Sequence, residues 1–207
     1  EINSGKKLGY TGKKITDVVN IGIGGSHLGP EMVTEALSYY SHSVSPHFIS
    51  NIDPDFTSKL LEKLDPETTV FIIVSKTFTT IETLENAKKI RKWFIDKANV
   101  ESIKDHFIAV SNNTEAPKEF GILPNNVLSI PDWVGGRFSL WGSVGLIISI
   151  VIGSKNFKEF LKGAESMDLH FRNSPFEKNK LHLLQNIYNK TFHPCHHIPI
   201  HTFYETH

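Results

Sequence analysis

The run TTVFIIV, Thr68 to Val74, is continuously apolar after its two leading threonines and β-branched at every position but Phe71. A strand without polar alternation has no face to give to water, so it must be covered on both sides, as strands of parallel sheets are. The rest of the chain agrees. Short apolar runs at residues 17–23, 47–50, 106–110 and 126–130 read as four more strands, and helical patterns fall between them, the alternation that βαβ units produce. The predicted helices cover 30–40, with Pro30 in its tolerated first turn, and 53–64, opened by Asp53 with Phe56, Leu60, Leu61 and Leu64 at helical spacing. A long helix over 80–98 has Ile81, Leu84, Ala87, Ile90, Trp93, Phe94 and Ile95 marking its buried side. A short helix at 116–120, an apolar one at 139–152 with Ser139 as N-cap, and another at 156–167 complete the set. The fold class is α/β, a five-stranded parallel sheet flanked by helices on both faces. Residues 168–207 are expected to be a connecting segment and tail beyond a domain at 1–167, with MDLHFRNSPFEKNK as the connection and 181–188 as one more helix.

Charge narrows what such a domain binds. Lys and Arg number 22 and Asp and Glu number 22, so no long-range field favours nucleic acid or an acidic membrane surface. Any anion must be held locally. The single cysteine, Cys195, excludes an intramolecular disulfide framework and fits a reducing compartment. The first residues lack the apolar core of a signal peptide, and the stretch 140–152, interrupted by Gly and Ser, is shorter than the roughly 20 residues of a membrane span. The expectation is a cytoplasmic protein without membrane or nucleic-acid partners. Its opening on Glu1 rather than Met suggests a piece of something longer.

Three strand-to-helix junctions carry the chemistry. IGIGGSHLGP, Ile21 to Pro30, follows the first strand, and glycines there expose backbone N–H groups beside a helix N-terminus, which can bind an anion without net charge. Neither familiar phosphate cradle fits. A dinucleotide GxGxxG would need Gly where His27 stands, and a P-loop would need Lys where Pro30 stands. Close packing of helix on strand is the alternative reason for these glycines. SKTFTT, Ser75 to Thr80, follows the third strand with four hydroxyls and an ammonium in six residues. Thr79 and Glu82 have capping-box spacing, but one cap does not require Ser75, Thr77 and Thr80 as well. Short hydroxyls beside backbone N–H groups suit the terminal oxygens of a phosphate monoester. The third junction, DWVGGRFSLWG, turns at Gly135 and Gly136 and places Arg137 ahead of a helix. That arginine could pair with Asp132 or face an oxyanion.

GIGGSHLGP, VSKTFTTIETLENA and DWVGGRFSLWGSVGL, in this order and spacing, resemble the glucose-6-phosphate isomerase (phosphoglucose isomerase) family. The resemblance covers roughly Gly9 to Phe171. It implies a sugar-isomerase (SIS) domain with flavodoxin-like layering, the smaller of two such domains in the full enzyme, and reversible aldose-ketose isomerisation of glucose 6-phosphate without metal or organic cofactor. By that likeness Ser75, Lys76, Thr77 and Thr80 hold the substrate's phosphate, Gly25 and Ser26 line the sugar pocket beside it, and Gly136 and Arg137 reach the reacting end. The sugar phosphate would then be what lies against Gly24, Gly25 and Ser26. The family's glutamate base, in a motif resembling GDMESNGK, and its ring-opening histidine and lysine are not found here, so the segment alone is expected to be inactive. The full-length family member is expected to be a homodimer. The rival expectation is a stand-alone sugar-phosphate-binding regulatory domain. His193, Cys195, His196, His197 and His201 could make a metal site, but their spacing matches neither paired zinc ligands nor HExxH, and no metal is expected.

Overall fold

The apolar runs become strands where they are expected, with the bounds shifted by one to two residues at their ends. In the computed structural model, which describes residues 2, 5–41 and 44–192, β1 is Asp17–Ile21, β2 Ser45–Ile49, β3 Thr69–Val74, β4 Phe107–Val110 and β5 Val127–Leu128. The helices are α1 Leu28–Ala36, α2 Pro54–Leu61, α3 Ile81–Lys97, α4 Ile103–His106, α5 Glu115–Phe120, α6 Leu146–Asn173 and α7 Lys180–Phe192. All pairings are parallel and the strand order is β2-β1-β3-β4-β5. The five-stranded parallel sheet with helices around it is therefore the expected fold. The tail residues 193–207, including His193, Cys195, His196, His197 and His201, lie outside the described residues.

All six residues of β3 are buried, as a strand covered on both faces requires. Its neighbours place Val19, Ile21, Phe107 and Ala109 on the same face as Phe71 and Ile73, and these join Ile90 and Phe94 of α3 and Leu61 of α2 in one core cluster. Phe71 stacks on Phe107 with ring centroids 4.9 Å apart, and Phe94 meets both rings edge-on. Two expected core positions are not in it. Ile81 is 70% exposed and Phe56 is 53% exposed, and each sits in the first turn of its helix.

The apolar stretch after Gly136 departs further from expectation. Instead of one helix starting at Ser139, the chain makes two tight 3-10 segments, Gly136–Trp141 and Ser143–Gly145, before α6 begins. Glycine permits this: a Cβ on Gly145 would fall onto the Leu140 carbonyl. Ser139 is thus a buried residue inside a turn and caps nothing. Gly153, at φ 83°, interrupts α6 where two helices were expected to separate. The stretch read as a connection is helical as far as Asn173, since no Gly or Pro stops it before Pro175.

The chain divides into a unit of residues 1–157 and another of 158–207. Within the second, His170 and Asn179 tie the turn between α6 and α7. Asn179 donates to the Phe171 carbonyl at 2.8 Å, and the Lys180 N–H donates to His170 Nε2 at 3.0 Å.

Candidate functional site

In this strand order the connections leave β1 and β3 in opposite directions, so a crevice opens beyond their carboxyl ends. The glycine loop and SKTFTT are the two segments that emerge there. Between them lies a cavity of about 240 Å³ lined by Gly25, Ser26, Ser75, Lys76, Thr80 and Gly136, with Thr83, Gly135 and Ser139 also in its wall. It is smaller than the roughly 300–1,000 Å³ of a drug-sized site, so it suits a small group. Of the described residues lining it, Lys76 alone is charged, and no carboxylate is among them.

The SKTFTT loop is held by its carbonyls. Lys76 O accepts from the Asn112 N–H at 2.8 Å and from Ser111 Oγ at 3.1 Å, and Thr77 O accepts from Asn113 Nδ2 at 3.3 Å. These contacts come from the residues just after β4, which sequence reading passed over. Phe78, within the loop, has φ 56°, a left-handed conformation uncommon outside glycine. Its buried ring packs edge-on against Phe120 at 6.1 Å and pins that turn in place. None of the loop's hydroxyls caps α3. Thr80 is the N-cap residue but makes no side-chain cap bond, and Thr79 Oγ1 bonds to Thr77 Oγ1 at 2.6 Å. Ser75 Oγ and Thr80 Oγ1 lie 3.1 Å apart in the cavity wall. The first-turn N–H groups of α3 are therefore free of any side-chain acceptor, at the positive end of a 17-residue helix.

The glycine loop packs directly against the third loop. A Cβ on Gly25 would fall onto the backbone of Gly136, and one on Gly29 would come within 2.9 Å of the Leu140 side chain. The third loop thus packs closely on Gly25; Gly24, with no atom within 4 Å of its would-be Cβ, stands at φ 58°, which favours glycine. Beneath it, Asn20 on β1 is fully buried and donates from Nδ2 to the Ser26 carbonyl at 3.0 Å. A polar side chain in an otherwise apolar buried strand was the available sign of this role.

The third loop is tied to the second through Lys76. Its ammonium donates to the carbonyls of Asp132 at 2.6 Å and Val134 at 3.1 Å, which are dipoles and leave the positive charge uncancelled. Asp132 Oδ1 accepts from Asn112 at 3.0 Å. Gly136 reaches the cavity, while Arg137 is exposed with its guanidinium 4.6 Å from the Phe138 ring centre. The structure thus gathers Gly25, Ser26, Ser75, Lys76, Thr80 and Gly136 around one cavity. Thr77 and Arg137 stand on the adjoining loops, outside its lining. Thr83 was missed, although a position three residues past Thr80 on one helix faces the same way.

Strand order, crevice and loops define a doubly wound α/β domain with a polar cavity at its switch point. The chain belongs to the phosphoglucose isomerase family, whose profile matches residues 1–206. Two curated relatives named glucose-6-phosphate isomerase are similar to it: one from Christiangramia forsetii, 51% identical over 195 residues, and one from Chlorobium phaeobacteroides, 57% identical over 181 residues. These alignments take in 93% and 86% of this chain but 36% and 32% of the relatives, so the chain spans about a third of the length of the curated relatives it matches. Among solved structures, a glucose-6-phosphate isomerase from Chlamydia trachomatis matches with a TM-score of 0.77 at 32% identity, over 86% of this chain and 34% of its own. A hypothetical protein from Thermus thermophilus matches with a TM-score of 0.73 at 27% identity, over 85% of this chain and 42% of its own.

Proposed function

We propose that this chain is the phosphate-binding segment of a glucose-6-phosphate isomerase, an enzyme that interconverts glucose 6-phosphate and fructose 6-phosphate through a cis-enediolate. One observation carries the reading: hydroxyls of Ser26, Ser75 and Thr80 and the charge of Lys76 converge on one small cavity whose lining has no acid. A phosphate monoester fits that wall because its terminal oxygens accept hydrogen bonds and repel carboxylates. Gly25 and Gly136 bring backbone close to the ester, and Thr77 adds a hydroxyl from the same loop. In this reading Arg137, next to Gly136 in the chain, meets charge developing at the reacting carbons.

Moving a proton between two carbons needs a base, and general acid–base groups commonly contribute on the order of 10²–10⁴-fold. The cavity lining supplies none, so the base belongs to another part of the enzyme, and the segment alone is expected to turn over poorly. Residues 1–167 act in this reading as an SIS domain, with 168–207 leading onward, in a cytoplasmic enzyme that works as a homodimer without metal or organic cofactor.

Titration calorimetry of the chain with fructose 6-phosphate and with free fructose tests the proposal. Binding of the ester with no detectable binding of the free sugar is the expected result. Equal affinities for the two would overturn it.

A further inference from the structure

Lys76 and Asp132 touch without forming an ion pair. The Lys76 ammonium donates to the main-chain carbonyl of Asp132 at 2.6 Å, yet the carboxylate of the same residue makes no ion pair with it among the described residues. Asp132 Oδ1 instead accepts from Asn112 Nδ2 at 3.0 Å. The orientation of that amide is fixed by its other bond. Asn112 Oδ1 accepts from the Ile130 N–H at 2.7 Å, and a backbone N–H can only donate, so the NH2 side is the one that meets the carboxylate. The Asn112 N–H holds the Lys76 carbonyl at 2.8 Å. One residue therefore grips the backbone of the lysine and the side chain of the acid. The two charges are divided between two cavities: Lys76 lines the one of about 240 Å³, and Asp132 lines a second of about 560 Å³ with Asn112, Glu115 and Lys118. Glu115 and Lys118 pair with each other at 3.9 Å, which leaves Asp132 as the acid of that cavity without a cation of its own.

We propose that Asn112 is a positioning residue for anion binding: it draws the Asp132 carboxylate off Lys76 and so keeps the ammonium uncancelled for a dianionic ester. This rests on the phosphate reading above. Released from Asn112, the carboxylate is attracted to the ammonium, and a closed pair would both neutralise the cation and set a like charge beside the ester. Asn112 and Asp132 are exposed, so the effect is modest and screened by salt. Asn112 thus supports discrimination by charge without touching the ligand.

Calorimetry with fructose 6-phosphate at about 20 mM and about 500 mM salt is run on the parent chain, Asn112→Ala, Asp132→Asn and the double variant, with urea unfolding to check that each is folded. At low salt Asn112→Ala is expected to bind about three- to fivefold more weakly than the parent, and the deficit to shrink below about twofold at high salt. Asp132→Asn alone is expected to bind slightly more tightly, and in the double variant it should restore affinity to within about twofold of the parent. A merely structural Asn112 behaves otherwise, because the Ile130 N–H loses its acceptor whatever charge residue 132 carries. The deficit would then persist in the double variant and at both salt concentrations, and either result overturns the proposal. Unchanged affinity in Asn112→Ala, with the parent binding the ester, overturns the role of Asn112 alone. If the alanine variant does not fold, Asn112→Asp takes its place, keeping the acceptor for Ile130 and removing only the donor to Asp132. It should weaken binding at least as much and be relieved by Asp132→Asn; absence of relief overturns the proposal. A parent chain that binds the ester no better than fructose removes the phosphate reading, and the role of Asn112 with it.

Discussion

The two ends of the parallel sheet treat buried polar groups in opposite ways. Where β3 and β4 begin, His106 is 0% exposed and fully satisfied. Its Nδ1–H donates to the Thr69 carbonyl at 2.6 Å, and its Nε2 accepts the Tyr10 N–H at 2.9 Å. The ring packs against Phe94, and Gly9 lies so close to the Glu67 carbonyl that a Cβ would collide with it. At the opposite rim, where β1 and β3 end, Thr83 Oγ1 and Asn20 Oδ1 are buried without partners among the described residues, and Phe78 holds a positive φ. Groups that fold a protein find partners inside it. A region that keeps unpaired polar atoms and a strained turn has the pattern of a binding site rather than of a core.

The largest test of this contrast is His106→Ala. It leaves the Thr69 carbonyl and the Tyr10 N–H buried and unpaired at about 1–3 kcal/mol each, so a loss of roughly 2–4 kcal/mol is expected in denaturant unfolding, with ester affinity unchanged. A drop in affinity of the same size would show that the two ends are not independent. Thr80→Val attacks the other end. It is expected to weaken fructose 6-phosphate binding by about fivefold to tenfold, while stability falls by about 1 kcal/mol, because Thr80 makes no capping bond to lose but its removal leaves the buried Ser75 hydroxyl without its partner. Unchanged affinity would remove Thr80 from the site.

The smallest effect is in pH. Burial pulls the pKa of His106 below the ordinary 6.5, against a smaller upward pull from its bond to the Thr69 carbonyl. The folded protein therefore favours the neutral ring, and the unfolded chain binds the extra proton first. The stabilisation from His106 is fully present above about pH 6.5 and is lost as pH falls toward the folded-state value, with a slope of at most about 1.4 kcal/mol per pH unit. Urea midpoints measured from pH 7.5 to pH 5 should fall in the parent and lose this component of the slope in His106→Ala. Identical pH profiles would mean the histidine does not couple folding to protons.

Much of this was legible from residues alone where a single physical constraint acts locally. TTVFIIV could only be a covered strand, and its neighbours alternate with helices as a parallel sheet demands. SKTFTT was readable as a loop with more hydroxyls than a cap needs, and none of them caps α3. Reading failed where spacing was ambiguous or the partner was distant. The stretch from Gly136 to Gly145 has helical composition, yet contact with Gly25 and the tight approach of Gly145 to Leu140 coil it into 3-10 turns. Lys76 looked like a cation for the ligand alone. It also clasps the Asp132 and Val134 carbonyls from 56 and 58 residues away.

By itself the sequence determined where the five strands and most of the helices lie, and that its glycine and hydroxyl loops all leave the carboxyl ends of strands, because backbone geometry and burial act over a few residues at a time. Tertiary structure alone decided that Gly25 is a glycine for the sake of Gly136, that Asn20 holds Ser26 from below, and that the Thr83 hydroxyl is left unpaired in the cavity wall. Those are contacts, or missing contacts, between elements whose distance in space bears no fixed relation to their distance along the chain. Only the packed sheet sets which of them meet.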